Sequence, residues 1–366
     1  MKIAVIGTRG FPGVQGGVET HCEKLYTHLA ENGCDITVFT RKAYVPPDLH
    51  TYKGISLVPI SCPQNKFLEA FIHTFKGVLK ARKLKPDILH IHAIGPSFFT
   101  PLARFIGMKV VITTQGPDYK RKKWNFLAKI FLMFCEWMGM TFANEVIAVA
   151  NNISEDIKRK FARNAYVIPN GVEIPDPSDT DDILRKFDLQ KKRYILTVGR
   201  FVPEKGFDYL IDAFNNGDFE GWKLVIVGSA DHDDKYSIGL REKAKKNSNI
   251  VLTGFLTGKP LQEIYTHAGL FVLPSYHEGL PIVLLEAMSY GLSCIASDIS
   301  ANRNVELSED RFFKAGDIKA LTNKMREFIN KPRGNEEIKK QISAIAEKYN
   351  WEKIAERTLE VYRAIT

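Results

Sequence analysis

Short runs of β-branched and aliphatic residues alternate with longer helix-patterned stretches along these 366 residues, and the alternation begins twice. That pattern predicts parallel sheets covered by helices. The first series places strands at 2–7, 35–40, 54–59, 87–92, 109–114, 145–149 and 165–168, with helices at 17–31, 66–84, 123–141 and 152–162. The second opens at Tyr194-Ile195-Leu196-Thr197-Val198-Gly199 and continues with strands at 223–228, 250–252, 270–273 and 294–296. Helices at 204–215, 238–246, 259–267 and 281–290 fill its gaps. A chain this long exceeds one ordinary hydrophobic core, so two α/β domains are expected, 1–170 and 191–348. Between them, 171–190 reads as a linker because of its prolines and its acids Asp176, Asp179, Asp181 and Asp182. Past residue 316 the pattern is helical, ending in an apolar stripe of Trp351, Ile354, Leu359 and Tyr362. In open sheets of this kind a ligand site is expected at the carboxyl ends of the strands.

Three constellations sit where such strands end. The first is Gly7-Thr8-Arg9-Gly10-Phe11-Pro12-Gly13, followed by Gly16-Gly17-Val18-Glu19-Thr20. A glycine-rich loop opening a helix lets bare amides approach a phosphate at the positive helix end. The likeness to a dinucleotide fingerprint is weak. The second strand ends in Thr40-Arg41 rather than in the acid that would hold an NAD ribose. A turn whose glycines serve backbone geometry alone is the other reading.

The second constellation is Gly199-Arg200-Phe201-Val202-Pro203-Glu204-Lys205-Gly206. Arg200 and Lys205 at the top of a sheet would stabilise a diphosphate leaving group without a metal. The third is the most specific. Pro274-Ser275-Tyr276-His277-Glu278-Gly279-Leu280-Pro281 runs into Ile282-Val283-Leu284-Leu285-Glu286-Ala287, with Glu278 and Glu286 separated by seven residues. Glu286 lies in an otherwise apolar helix, so it is expected to be buried and to need hydrogen-bonding partners, which ribose hydroxyls would supply.

Together these elements resemble the retaining glycosyltransferases of family four (group 1), whose paired glutamates share this spacing, and the resemblance spans nearly the whole chain. It also takes in Gly291-Leu292-Ser293-Cys294-Ile295-Ala296-Ser297-Asp298. The opening Gly-Thr-Arg-Gly-Phe-Pro and the segment Asp118-Tyr119-Lys120-Arg121-Lys122-Lys123-Trp124 look most like a bacterial surface-polysaccharide subgroup that includes rhamnosyltransferases. The resemblance implies a GT-B fold: two Rossmann-like domains facing each other across a cleft, with 349–366 a helix packing back on the first domain. It implies that a nucleotide-diphosphate sugar is the donor and a glycan or polyprenyl-linked molecule the acceptor. Arg200 and Lys205 would hold the diphosphate, Glu286 the ribose and Glu278 the transferred sugar. Gly16, Gly17, Gly279 and Leu280 would complete the donor site. The catalytic set is then Glu278, Arg200 and Lys205, with no cofactor and no metal. Same-face attack, in which the leaving phosphate takes the acceptor proton, fits a chain offering no obvious second nucleophile. Another enzyme of the same fold, a sugar phosphorylase or nucleotide-sugar epimerase, is the alternative.

For the acceptor the candidates are His92, Gln115 and Asp118. His90 and His92 point to one strand face, and no third ligand stands at metal-binding spacing. A core histidine is the competing reading of His92. Relatives often carry a histidine after the next strand, where this chain has Gln115, which cannot shuttle protons.

The net charge of +9 is uneven: residues 1–170 hold 23 Lys+Arg against 12 Asp+Glu. No recognition helix or aromatic platform supports nucleic-acid binding. Two first-half segments, 67–83 and 120–134, mix cations with Phe, Leu and Trp, as peripheral contact with an anionic membrane requires. No apolar run reaches spanning length, and five scattered cysteines suit reduced thiols. The expected location is cytoplasmic, on the inner face of the membrane.

Overall fold

The computed structural model describes residues 1–63, 65, 68–117, 119, 124–331 and 333–366. Asp118, the basic run Lys120, Arg121, Lys122 and Lys123, and Phe67 lie outside the described residues. The chain divides into two compact units, Met1–Gly171 with Trp351–Thr366, and Val172–Asn350.

Unit 1 comprises β1 (Lys2–Ile6), α1 (Gly17–Glu31), β2 (Asp35–Arg41), β3 (Thr51–Tyr52), β4 (Ile55–Ile60), α2 (Leu68–Leu84), β5 (Ile88–His92), α3 (Thr100–Phe105), β6 (Val110–Thr114), α4 (Phe126–Phe142), β7 (Glu145–Ala148), α5 (Asn151–Phe161) and β8 (Tyr166–Val167). Its sheet has the order β3-β4-β2-β1-β5-β6-β7-β8, parallel except for β3 against β4. β5 and β6 are buried along their whole length, as a sheet covered on both faces requires.

Unit 2 holds α6 (Asp182–Lys186), β9 (Tyr194–Val198), α7 (Phe207–Asn215), β10 (Lys223–Val227), α8 (Lys235–Lys245), β11 (Ile250–Gly254), α9 (Gly258–His267), β12 (Leu270–Leu273), α10 (Ile282–Ser289), β13 (Cys294–Ser297), α11 (Ser300–Arg303), β14 (Phe312–Phe313), α12 (Ile318–Ile329) and α13 (Asn335–Lys348). Its parallel sheet runs β11-β10-β9-β12-β13-β14, so the order reverses at β9. Ligands of doubly wound sheets bind outside the carboxyl ends at such a reversal.

The expected linker is not a free connector. From Val172 onward it belongs to unit 2, where the Ile183 amide donates to Glu263 Oε2 at 2.8 Å and the Ser178 amide to Thr266 Oγ1 at 3.1 Å. The last helix, α14 (Trp351–Arg363), returns to unit 1 and packs on α1. Its apolar stripe explains this. Trp351, Ile354, Leu359 and Tyr362 are all buried, in one core cluster with Leu25, Tyr26 and Leu29.

A buried polar knot ties that helix down. The Tyr362 hydroxyl meets His90 Nδ1 at 2.6 Å, and Tyr26 meets the same nitrogen at 2.8 Å and His92 Nε2 at 2.6 Å. His90 Nε2 bonds Thr113 Oγ1 at 2.8 Å, and His21 lies edge-on to His92 with ring centres 5.5 Å apart. Burial, and next the neighbouring imidazoles, push His90 down to about 3 and His92 well below its usual range, while burial takes His21 to about 4. The fold therefore holds all three neutral, whereas the unfolded chain protonates them near 6.5. This stabilisation is complete above pH 6.5 and is lost as pH falls below it, at about 1.4 kcal/mol per pH unit for each histidine. Urea unfolding of unit 1 is expected to shift steeply to lower midpoint between pH 7 and pH 5. A flat profile would contradict the neutral knot.

Candidate functional site

The site in unit 2 is built from two loops. The largely buried β9 ends at Val198; the amide of the next residue, Gly199, donates to the Val227 carbonyl, and the next buried anchor, Phe201, donates its amide to the Ser229 carbonyl at 2.9 Å. Pro203–Lys205 then forms a 3-10 turn, closed by Gly206 in the left-handed conformation, which also starts α7. On the neighbouring strand, β12 is buried throughout and stops before Pro274. The Tyr209 hydroxyl donates to the Pro274 carbonyl, and the Tyr276 amide donates to the Glu204 carbonyl at 2.8 Å. These bonds clamp the two loops together at the sheet reversal.

The clamp brings residues 73 positions apart into contact. Lys205 Nζ donates to Glu278 Oε1 at 2.7 Å, with the two side chains 18% and 11% exposed. A charge-assisted contact in so partly desolvated a place is stronger than a surface pair. Arg200 is bonded separately, Nη1 to Asp231 Oδ2 at 2.8 Å. Asp231 was missed because it stands in a polar loop with Asp233 and Asp234, where nothing in the pattern distinguishes one acid. Gly279 and Leu280 form the turn that follows Glu278.

Glu286 departs from expectation. It is half-buried, because Val283, Glu286 and Tyr290 form the one partly open stripe of an otherwise buried α10. Its Oε2 accepts from the Tyr265 hydroxyl at 3.0 Å.

The other candidates belong to unit 1. Gly16 and Gly17 stand at the head of α1, beneath a lock that was not foreseen: Arg9 grips Glu19 at 3.1 and 3.2 Å and also donates to the Gln15 carbonyl. A Cβ on Gly16 would overlap both the Arg9 and Glu19 side chains. His92 has no exposed surface and its Nε2 is taken by Tyr26, so it is a core histidine and the acceptor assignment is corrected. Gln115 is half-buried and exchanges two amide bonds with Asn170, at 3.2 and 3.0 Å. Among the described residues no three His, Cys, Asp or Glu side chains gather to hold a metal ion.

Unit 1 also exposes an apolar plate. Phe126, Leu127, Ile130, Phe131, Phe134 and Trp137 of α4 are exposed, as are Leu68, Phe71, Phe75 and Leu79 of α2. Phe98 joins the two sets, with ring centres 5.3 Å from Phe71, 5.8 Å from Phe131 and 6.1 Å from Phe134. Lys76, Lys80, Arg82 and Lys83 are exposed along α2, whose acid Glu69 is turned inward to Arg41. No helix among the described residues is long and apolar enough to cross a membrane.

A family model of group 1 glycosyl transferases matches residues 179–357, and one of glycosyltransferase family 4 matches residues 15–174. The chain is a group 1 glycosyltransferase. It is 26% identical to the amylovoran biosynthesis glycosyltransferase AmsD of Erwinia amylovora, over 81% of each chain. It is 28% identical to the UDP-Gal:alpha-D-GlcNAc-diphosphoundecaprenol alpha-1,3-galactosyltransferase of Escherichia coli, over 71% of this chain and 67% of that one. Among solved structures, the sucrose-phosphate synthase of Thermosynechococcus elongatus matches 100% of this chain with 98% of its own, at a TM-score of 0.85 and 21% identity. That likeness carries the fold, and the fold is GT-B.

Proposed function

We propose that the chain is a retaining, metal-independent glycosyltransferase of surface-polysaccharide assembly, in the subgroup that includes rhamnosyltransferases. The reading rests above all on the Lys205–Glu278 contact at the sheet reversal, with Arg200 on the same loop as Lys205. Arg200 and Lys205 would bind the donor diphosphate and stabilise its charge as the glycosidic bond breaks. Glu286 would take the ribose hydroxyls. Glu278 would bind the sugar and steady its oxocarbenium-like transition state, while the departing phosphate accepts the acceptor's proton. Gln115, and Asp118 outside the described residues, remain the acceptor candidates.

The E. coli relative is named for a UDP-sugar donor and a diphosphoundecaprenol-linked acceptor, which supports a nucleotide-sugar donor and a lipid-linked acceptor here. The reaction is tested by incubating the protein with UDP-hexoses, UDP-N-acetylhexosamines, dTDP-rhamnose and GDP-mannose, with chelator present. Release of nucleoside diphosphate is expected from one of them. Activity that appears only on adding magnesium or manganese would contradict metal independence. Release that requires inorganic phosphate would favour a phosphorylase.

The plate on α2 and α4 would rest on the inner face of an anionic membrane, apolar side chains in the acyl boundary and lysines on headgroups. Phe126 and Leu127 are 74% and 75% exposed, so altering them disturbs little packing. Replacing Phe126, Leu127 and Ile130 together by Glu is expected to weaken binding to phosphatidylglycerol vesicles by at least about tenfold, since each apolar side chain contributes roughly 1.5–3 kcal/mol on burial. Flotation with vesicles measures this, and equal binding by the variant would remove the membrane reading.

A further inference from the structure

We infer that two buried hydroxyls aim the paired carboxylates, Ser275 setting the turnover that depends on Glu278 and Tyr265 setting the donor affinity that depends on Glu286. The inference rests on the donor reading above.

Ser275 follows β12 and has no exposed surface. Its Oγ donates to Glu278 Oε1 at 2.6 Å, the oxygen that also takes Lys205. Both donors thus fall on one oxygen, and among the described residues Oε2 has no partner. This arrangement restrains the carboxylate through one oxygen and leaves the second available to a sugar hydroxyl. When a diphosphate draws on the Lys205 ammonium, Ser275 is the donor that keeps the acid in place. Its backbone is held in turn. Ser297 Oγ donates to the Ser275 carbonyl at 2.5 Å, and Asn302 Nδ2 donates to the Ser297 carbonyl and hydroxyl at 2.9 and 3.1 Å. Ser297 and Asn302 are fully buried, so this anchor is rigid.

Tyr265, on α9, is buried too. Its ring stacks on Tyr290 at 5.1 Å and 11°, and on Phe271 at 6.2 Å and 30°. A phenol held between two rings has one orientation, and this one delivers its O–H to Glu286 Oε2. Burial, and next the Glu286 charge, raise its pKa well above the ordinary range, so it stays a donor at any working pH.

The hydroxyls therefore make separable demands on the kinetics. Ser275→Ala is expected to lower kcat about 10–100-fold, the range for partners that orient a functional group, with little change in nucleoside diphosphate affinity. Ser275→Thr, which keeps the hydroxyl, should restore most of the rate. Tyr265→Phe is expected to raise the donor KM and the nucleoside diphosphate Kd about fivefold to tenfold, with kcat much less affected. Calorimetry uses whichever of UDP, dTDP and GDP the wild-type protein binds. Thermal midpoints confirm folding, and Ser275→Cys replaces Ser275→Ala if the latter does not fold.

A fast Ser275→Ala enzyme, or a Ser275→Thr enzyme as slow as the alanine variant, overturns the serine assignment. An unchanged Kd in Tyr265→Phe overturns the tyrosine assignment. Glu278→Ala and Glu286→Ala run alongside. If these two are fully active the donor reading itself falls, whereas if they fail while the hydroxyl variants behave as wild type, only the present inference falls.

Discussion

Glu278→Ala is expected to cut turnover by about a thousandfold, the scale seen when one preorganised electrostatic contact to a transition state is removed. The fold should survive. Lys205 is 18% exposed and can turn to water once its partner is gone, so the loss should stay below the roughly 3–5 kcal/mol that breaking a fully buried pair costs. Ser275 loses an acceptor but keeps its backbone anchored through Ser297. Glu278→Gln retains an oxygen for Ser275 and removes the charge, so its rate should fall between the two. Initial rates of nucleoside diphosphate release, with a thermal melt of each variant, make the measurement. Wild-type turnover in Glu278→Ala would refute its assignment.

Gly206→Ala is expected to destabilise unit 2 by about 3 kcal/mol or more, through backbone strain and overlap that cannot relax cheaply. Gly206 has φ +65°, and a Cβ there would overlap the Pro274 carbonyl oxygen and the Tyr209 ring. One obstacle is backbone from the neighbouring loop, so relief would push apart the segments carrying Lys205 and Glu278. Gly254 supplies the comparison, since its φ is +77° but nothing lies within 4 Å of its Cβ position. Gly254→Ala should then cost only about 1–2 kcal/mol, the price of the left-handed conformation alone. Urea unfolding of both variants separates the two contributions. Equal losses would show that the close approach at Pro274 contributes nothing.

The architecture was legible because both sheets are fed by runs such as Ile3–Ile6 and Leu270–Leu273, whose burial on both faces leaves a continuous apolar signal. Two-residue strands such as β14 carry no such signal, and the short α3 was likewise not foreseen. The spacing of Glu278 and Glu286 marked both acids, yet not what holds them. Tyr265 reaches Glu286 from another helix, and Ser275 reaches Glu278 only through the way one loop folds back, so a lone serine or a tyrosine on an amphipathic helix looks ordinary in sequence. Expecting Glu286 to be buried was reasonable from its neighbours. The helix nonetheless turns one stripe, at Val283, Glu286 and Tyr290, toward the open side. His92 went the other way. Strand alternation placed it on a face with His90, but alternation does not reveal what covers that face. Here Tyr26 and Tyr362 do, one from the first helix of the chain and one from the last.

A crystal structure of the protein soaked with UDP-glucose, or with whichever donor the panel identifies, tests the central claim most directly. Diphosphate oxygens within about 3 Å of Lys205 and Arg200, with ribose hydroxyls on Glu286, are the expected result. A sugar nucleotide bound with its diphosphate away from Lys205 and Arg200 would contradict the account.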